Sequence, residues 1–439
     1  MGGRELNKVG IFGHYGNGNL GDEAIIAAVI QSVRRHAPQA MIVGFCVNPA
    51  DTEKRHGIQA FNIRRAVRSS PAVSTVPPRE ASPSSEKDTL RERVKKIIKS
   101  VPLAYPAARL VWRLPRTLGE VWRESRFLFR AFRTLDGVGM LIISGSGQLM
   151  DGFGGAWAFP YTLFKWSVMA RLRGIKLVFL SVGAGPINAT LSRFFIRRAL
   201  RLAHYRSYRD EYSKGLIESI GVRGDNYVYP DLACNLAIAR ADIHPRLDRK
   251  RVVGIIPVPY FDHRYWQKSD AAKYAEFVQR LAQFSLWLIE RGYTVFPFWT
   301  KLYTDELVVH EIERAVRDSG HLRAKDGLIS RPISTLADMV DSVRDCDLLV
   351  ASRFHGILIP LIMQKPVVGL AYHPKTSDMM AYMGQPDYCL NIDHFTLEDL
   401  QKMFVRLEQN AAPVSRSLSQ RASDASSLVE EQYRRIFDT

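Results

Sequence analysis

Apolar runs of strand length alternate with amphipathic runs of helix length along most of the chain, the pattern of parallel sheets covered by helices on both faces. In the first half the spacing predicts strands at 8–12 (KVGIF), 41–47 (MIVGFCV), 139–144 (GMLIIS) and 176–182 (KLVFLSV), with shorter pieces around YRSYRD and YVYPD. A second series starts at 251–258 (RVVGIIPV), passes through an amphipathic helix over 271–291 and continues in YTVFPFW, DLLVAS and PVVGLAY. Between them, near 239–250, ARADIHPRLDRK is polar and breaks the rhythm. The pattern predicts an α/β protein of two doubly wound, Rossmann-like domains facing across a cleft, residues 1–240 and 250–395. Two helices follow within 396–439, the first opened by Thr396 with Asp399 three residues on.

Two segments depart from this alternation. Residues 69–88 are dense in Ser and Pro and read as a linker or loop. Residues 89–135 form a basic amphipathic insertion with an excess of nine positive charges, more than half of the net +17 of the whole 439-residue chain. Aromatic residues, among them Trp112, Trp122, Phe127 and Phe129, interleave the arginines. Two readings stand side by side: helices packed on their own domain with the arginines in water, or amphipathic helices lying on an anionic membrane surface.

A positive balance of this size points to an anionic partner without choosing among phosphorylated small molecules, membrane and nucleic acid; nucleic acid is the least expected of the three. The four cysteines lie far apart, with no CxxC and no histidine cluster, which argues against a disulfide framework and a zinc knuckle. No run approaches the ~20 apolar residues of a membrane span, and the start MGGRELNKVGIF has no signal core. A cytoplasmic protein is expected, with peripheral attachment to the inner face of the membrane as the alternative.

Chemistry concentrates at predicted strand ends. After the first strand comes GHYGNGNLGDEAI, whose glycines allow close approach and whose helix start would offer free amides to an anion. The spacing is neither GxGxxG nor a Walker loop, so a plain tight turn capped by Asn19 or Asp22 is an equal reading. DLLVAS delivers Arg353 to its carboxyl edge, with His355 opening the next helix, a placement hard to explain as core packing. No histidine pair has metal-ligand spacing and no GxSxG elbow occurs, so no metal is expected and a hydrolase is disfavoured.

GHYGNGNLGDEAI, SGSGQLMDG, SVGAGPI, SYRDEYS, YPDLA and ASRFHGILIPLIMQKPVVGLAYHPK occur in the order seen in the polysaccharide pyruvyl transferase family, which the chain resembles from about residue 8 to about 392. The resemblance implies a fold like that of the two-domain GT-B glycosyltransferases, with the active site in the interdomain cleft. It also implies transfer of the enolpyruvyl group of phosphoenolpyruvate onto two hydroxyls of a glycan or lipid-linked sugar, as a pyruvate ketal, with no further cofactor. One departure is Gly145-Ser146-Gly147-Gln148, where many relatives have three glycines and small apolar residues. Ser146 suits the turn if its φ stays negative, and Gln148 bears on the acceptor site.

Phosphoenolpyruvate carries a carboxylate and a phosphate, so its site needs fixed cations with forked donors. By resemblance Arg209 matches a substrate-binding arginine; its alternative is an ion pair, for instance with Asp210. Arg353 and His355 are assigned to catalysis, His355 as general acid or phosphate contact, with Asp22 as base or hydroxyl-orienting group unless it merely caps the first helix. Lys375 would add a cation near the phosphate, and Gly16, Asn17, Asn19, Gly21, Gly145 and Gly147 would line the substrate. Two other functions remain open: a nucleotide-sugar glycosyltransferase of the same architecture, and a non-catalytic, membrane-associated polysaccharide assembly protein.

Overall fold

A computed structural model describes residues 6–65, 104–152, 154–238, 250–266, 269–324 and 326–438, and the side chains of 104–118 are not described. The expected Ser/Pro linker at 69–88, the first part of the basic insertion and most of the polar break at 239–250 lie outside these residues. The chain divides into two compact units: Met1–Phe61 with Gly137–Thr439, which holds both sheets, and Asn62–Asp136.

In the larger unit, β1 (Lys8–Phe12), β2 (Met41–Cys46), β3 (Gln59–Asn62), β4 (Met140–Ser144), β5 (Lys176–Val182), β6 (Tyr205–Tyr208) and β7 (Tyr227–Val228) form one parallel sheet in the order β3-β2-β1-β4-β5-β6-β7. A second parallel sheet joins β8 (Val252–Ile256), β9 (Thr294–Pro297), β10 (Leu348–Ala351), β11 (Val367–Ala371) and β12 (Cys389–Asn391) in the order β12-β11-β10-β8-β9. Every residue of β4, β8 and β10 is buried, as strands covered on both faces require. The edge strands β3 and β12 escaped the sequence pattern because they are short and half-exposed, so neither carries a continuous apolar run.

Strand order reverses beside β1, between β1 and β4, and again beside β8, between β8 and β10. At such switch points neighbouring loops leave in opposite directions and open a crevice at the carboxyl ends of the strands. The first crevice is flanked by the glycine loop after β1 and by Gly145–Gly147 after β4. The second is flanked by residues 257–266 after β8 and by 352–355 after β10.

The last two helices, Leu397–Gln409 and Ala411–Phe437, begin with a full capping box of Thr396 and Asp399. The second returns to the first sheet. Glu430 binds Arg35 at 2.6 Å and His36 at 2.7 Å, Gln432 reaches Ser181 and Ser207, and Lys176 Nζ donates to the Ile436 carbonyl at 2.8 Å. The chain therefore crosses to the second sheet and is anchored back on the first.

Within the smaller unit the helix Ala104–Thr134 carries the described part of the basic insertion. Arg65 pairs with Glu120 and Glu124, while Arg126 lies over the exposed Trp122 and Arg133 over the exposed Phe129. Among the described residues no helix is long and apolar enough to cross a membrane.

Candidate active site

The glycine loop is more occupied than its sequence suggests. The amides of Gly13, Gly16, Asn19, Leu20 and Gly21 donate to Phe45 O, Glu23 Oε1, Asn17 Oδ1, Thr300 O and Asn19 Oδ1. These five amides are engaged within the fold, and Gly16, Asn19 and Gly21 thereby build the loop. Gly16 has φ +77° and no room for a side chain beside Asn48 O. Glu23, buried behind the loop, holds Gly16 N on one oxygen and His56 Nε2 at 2.7 Å on the other. Across the cleft the loop is clasped by the second sheet's 300–302 segment through Leu20 N to Thr300 O and Leu302 N to Gly18 O, 2.9 and 2.8 Å.

The first helix, α1 (Leu20–His36), starts two residues earlier than Asp22, because Asn19 is its N-cap. That frees Asp22 from capping. Its buried carboxylate accepts from Asn19 Nδ2 at 2.8 Å and lies 3.7 Å from His14 Nδ1. Burial pushes its pKa up, but His14, His355 and Ser146 outweigh this and hold it below the usual carboxylate value. Gly21 lets the two halves meet: a Cβ there would lie 2.3 Å from His355 Nδ1.

His355 belongs to α10 (Phe354–Ile362), whose N-cap is Arg353. Its Nε2 is buried with no hydrogen-bond partner and lies 3.5 Å from Asp231 Oδ2. Asp231 also takes Arg209 Nη1 at 3.2 Å and the Ala233 amide at 3.0 Å. Burial raises the Asp231 pKa, yet His355 and Arg209 override it and keep the group well below its ordinary range. Arg209 stacks on Phe354, 4.3 Å from the ring centre, and lies 3.6 Å from Asp210. Its expected ion-pair alternative is thus present, with Asp231 the nearer partner. Gly183 makes room for its guanidinium, which a Cβ would meet at 2.8 Å.

Arg353 is fixed from behind. Nε and Nη2 grip the fully buried Asp305 in a fork, and the guanidinium lies 5.2 Å from the centre of the Tyr265 ring. Burial disfavours its charge, but Asp305 more than compensates and raises its pKa. Lys375, half-buried at the start of α11 (Pro374–Tyr382), has no carboxylate partner among the described residues. Burial, with Arg209 and then Arg353 adding to it, lowers its pKa to about 8 against the pull of Asp210 and Asp22. Asp22, Arg209, His355, Arg353 and Lys375, drawn from both sheets, thus share one electrostatic neighbourhood.

In the second glycine loop Ser146 adopts φ +57°, not the negative φ expected of it. Gly145 is also left-handed, at +39°, with Ile25 filling the space of a side chain, whereas nothing lies within 4 Å of a Cβ on Gly147. Gln148 turns inward, its Nε2 donating to the Ser144 and Gly145 carbonyls at 2.9 and 3.2 Å. It braces the loop through Nε2, while its buried Oε1 has no hydrogen-bond partner.

Asp231 and Asp305 were not singled out from the sequence. Asp231 sits in YPDLA and was visible there; Asp305 opens a helix distant in sequence from Arg353, and no local pattern joins the two. Tyr265 and Lys301 were likewise missed. Burial raises the Tyr265 pKa, but Arg353 and Lys301 prevail and lower it.

Two parallel sheets meeting at their carboxyl edges define the two-domain GT-B fold, shared with sugar-nucleotide enzymes of low sequence identity. UDP-GlcNAc 2-epimerase from Neisseria meningitidis bound to UDP-GlcNAc superposes with TM-score 0.54 at 12% identity over 97% of this chain and 98% of that one. A second UDP-N-acetylglucosamine 2-epimerase gives 0.56 at 11% over 99% and 97%. The enzyme from Methanocaldococcus jannaschii gives 0.53 at 8% over 91% and 92%. Among curated proteins, none matches the sequence. The sequence model of the polysaccharide pyruvyl transferases matches residues 19–374, most of the chain, and the protein belongs to that family.

Proposed function

We propose that the protein transfers the enolpyruvyl group of phosphoenolpyruvate to two hydroxyls of a glycan or lipid-linked sugar, as a ketal, in surface polysaccharide biosynthesis. The observation that carries this reading is the gathering of Arg209, Arg353 and Lys375 around His355 and Asp22, with the Lys375 ammonium in no salt bridge among the described residues. A small dianionic acid needs such a set of fixed cations.

The reaction moves two protons. One sugar hydroxyl adds to C2 while C3 gains a proton to become a methyl group; the second hydroxyl then displaces phosphate and its proton leaves with that group. His355, whose Nε2 makes no hydrogen bond and lies 3.5 Å from the Asp231 carboxylate, is suited to give and take these protons. Asp22, kept ionised by its neighbours, is suited to orient a hydroxyl or accept its proton. Arg209 and Lys375 would hold the acid, with Asp231 keeping Arg209 and His355 in register.

Incubation with phosphoenolpyruvate and a panel of sugars, and separately with nucleotide sugars, tests the reading. Phosphate release matched by a mass gain on the sugar supports it; nucleoside diphosphate release refutes it in favour of glycosyl transfer. Sugar binding with neither release favours an assembly protein. Exposed Val121, Trp122 and Phe129 among Arg123, Arg126 and Arg130 support contact with an anionic membrane, where lipid-linked sugars reside. Flotation with anionic vesicles at low salt, lost at high salt, is the expected result, and no flotation at low salt removes this contact.

A further inference from the structure

A second cluster lies beside Arg353, away from Arg209 and Lys375 in the sequence and unassigned by the reading above. Lys301 is the middle residue of the segment that clasps the glycine loop, and its backbone bridges to Asn19. Its Nζ donates to Tyr265 Oη at 3.2 Å and lies 4.6 Å from that ring's centre. Among the described residues Lys301 has no carboxylate partner, so a half-buried ammonium stands at the cleft with only a phenol beside it. The phenol receives the Lys301 hydrogen bond with the Arg353 guanidinium over its ring, and its own proton has no acceptor among the described residues. Arg353 spends Nε and Nη2 on Asp305, leaving Nη1 outside that fork.

One guanidinium edge, one ammonium and one hydroxyl with an unused proton thus converge, and these donors outnumber the acceptors beside them, Tyr265 Oη and the Asp305 carboxylate. An excess of donors is satisfied by an oxyanion. We propose that Arg353, Tyr265 and Lys301 form an oxyanion subsite beside Arg209 and Lys375 that takes one end of a substrate with two acidic ends. The inference rests on the reading of the cleft as a phosphoenolpyruvate site. It divides the ligand's anions between two clusters, which a free phosphate group and a free carboxylate can tell apart.

The test is calorimetric titration of the full-length protein and of Tyr265→Phe, Lys301→Met and Lys301→Arg with phosphoenolpyruvate, inorganic phosphate and pyruvate. Phenylalanine removes only the hydroxyl, and each loss of a hydrogen bond to a charged group is expected to weaken phosphoenolpyruvate binding by about 10-fold or more. Lys301→Arg should restore much of what Lys301→Met loses, a recovery that general damage to the fold would not give. Variants that lose phosphate affinity but keep pyruvate affinity assign the subsite to the phosphate end; the reverse assigns it to the carboxylate. Tyr265→Phe and Lys301→Met proteins that bind all three probes as the wild type does overturn the subsite while leaving the pyruvyl-transfer reading intact. Wild-type protein that binds phosphate or pyruvate, weakened by the variants, but not phosphoenolpyruvate would retain the subsite and refute that reading. No binding of any probe refutes both.

Discussion

Replacing Gly21 by alanine tests the junction between the two halves of the site. A Cβ at that position falls 2.3 Å from His355 Nδ1, 2.5 Å from Cγ and 2.7 Å from Cβ. Ordinary contacts between such atoms are about 3.5–4.0 Å, so His355 has to retreat by about 1 Å. Overpacking of this kind costs about 1–3 kcal/mol, offset by up to about 1 kcal/mol because alanine favours the helix over glycine. The net destabilisation is expected to be no more than about 3 kcal/mol, while a 1 Å displacement of a reacting group lowers turnover by about 10²-fold. Phosphate release under saturating phosphoenolpyruvate and acceptor measures the second effect. A double-mutant cycle with His355→Gly, followed by urea unfolding, isolates the first. Without the imidazole the alanine should be neutral or slightly stabilising. A Gly21→Ala protein with wild-type turnover, equally destabilised in both backgrounds, would refute the argument.

Removing Asp305 leaves Arg353 buried and unpaired, so Asp305→Ala should lose about 3–5 kcal/mol in urea unfolding, and Asp305→Asn should lose less. Lys375, lowered to about 8, gives up its proton as pH rises through that value, far below the ordinary lysine range. Phosphoenolpyruvate affinity measured by calorimetry should therefore fall between about pH 7 and 9, and Lys375→Met should flatten the fall. Between the lowered pKa and the unfolded one the folded chain binds fewer protons than the unfolded, so this group's contribution to stability rises with pH there. Glu430→Ala should cost about 1 kcal/mol, since Arg35 and His36 are partly exposed and screened. The Glu430 pKa is lowered by Asn235, His36 and Arg35 against burial, so its contribution is present above the unfolded carboxylate pKa and disappears as pH falls through the folded one.

Most strands were readable because buried parallel strands are apolar on both faces, and their continuous runs stand out in one dimension. KVGIF and KLVFLSV coincide with β1 and β5 to the residue. Arg353 and His355 were visible for the same reason: they end an apolar run that has nowhere else to place a charge. In the glycine loop composition left an amide cradle and a capped turn equally open, because which amides are engaged depends on Glu23, Phe45 and Thr300, which reach it through the fold.

By itself the sequence determined the alternation of elements and the residue types delivered to the strand ends; the strand order, and with it the two switch points, came from the fold. Only the tertiary structure decided which carboxylate holds which cation: Asp305 with Arg353 at a separation of 48 residues, and Asp231 with Arg209 at 22. Periodicity records which way a side chain faces relative to its own backbone. Pairing between elements depends on how helices and sheets pack, which no local pattern encodes. The return of the final helix onto the first sheet, through Glu430 and Gln432, belongs to that second kind of information.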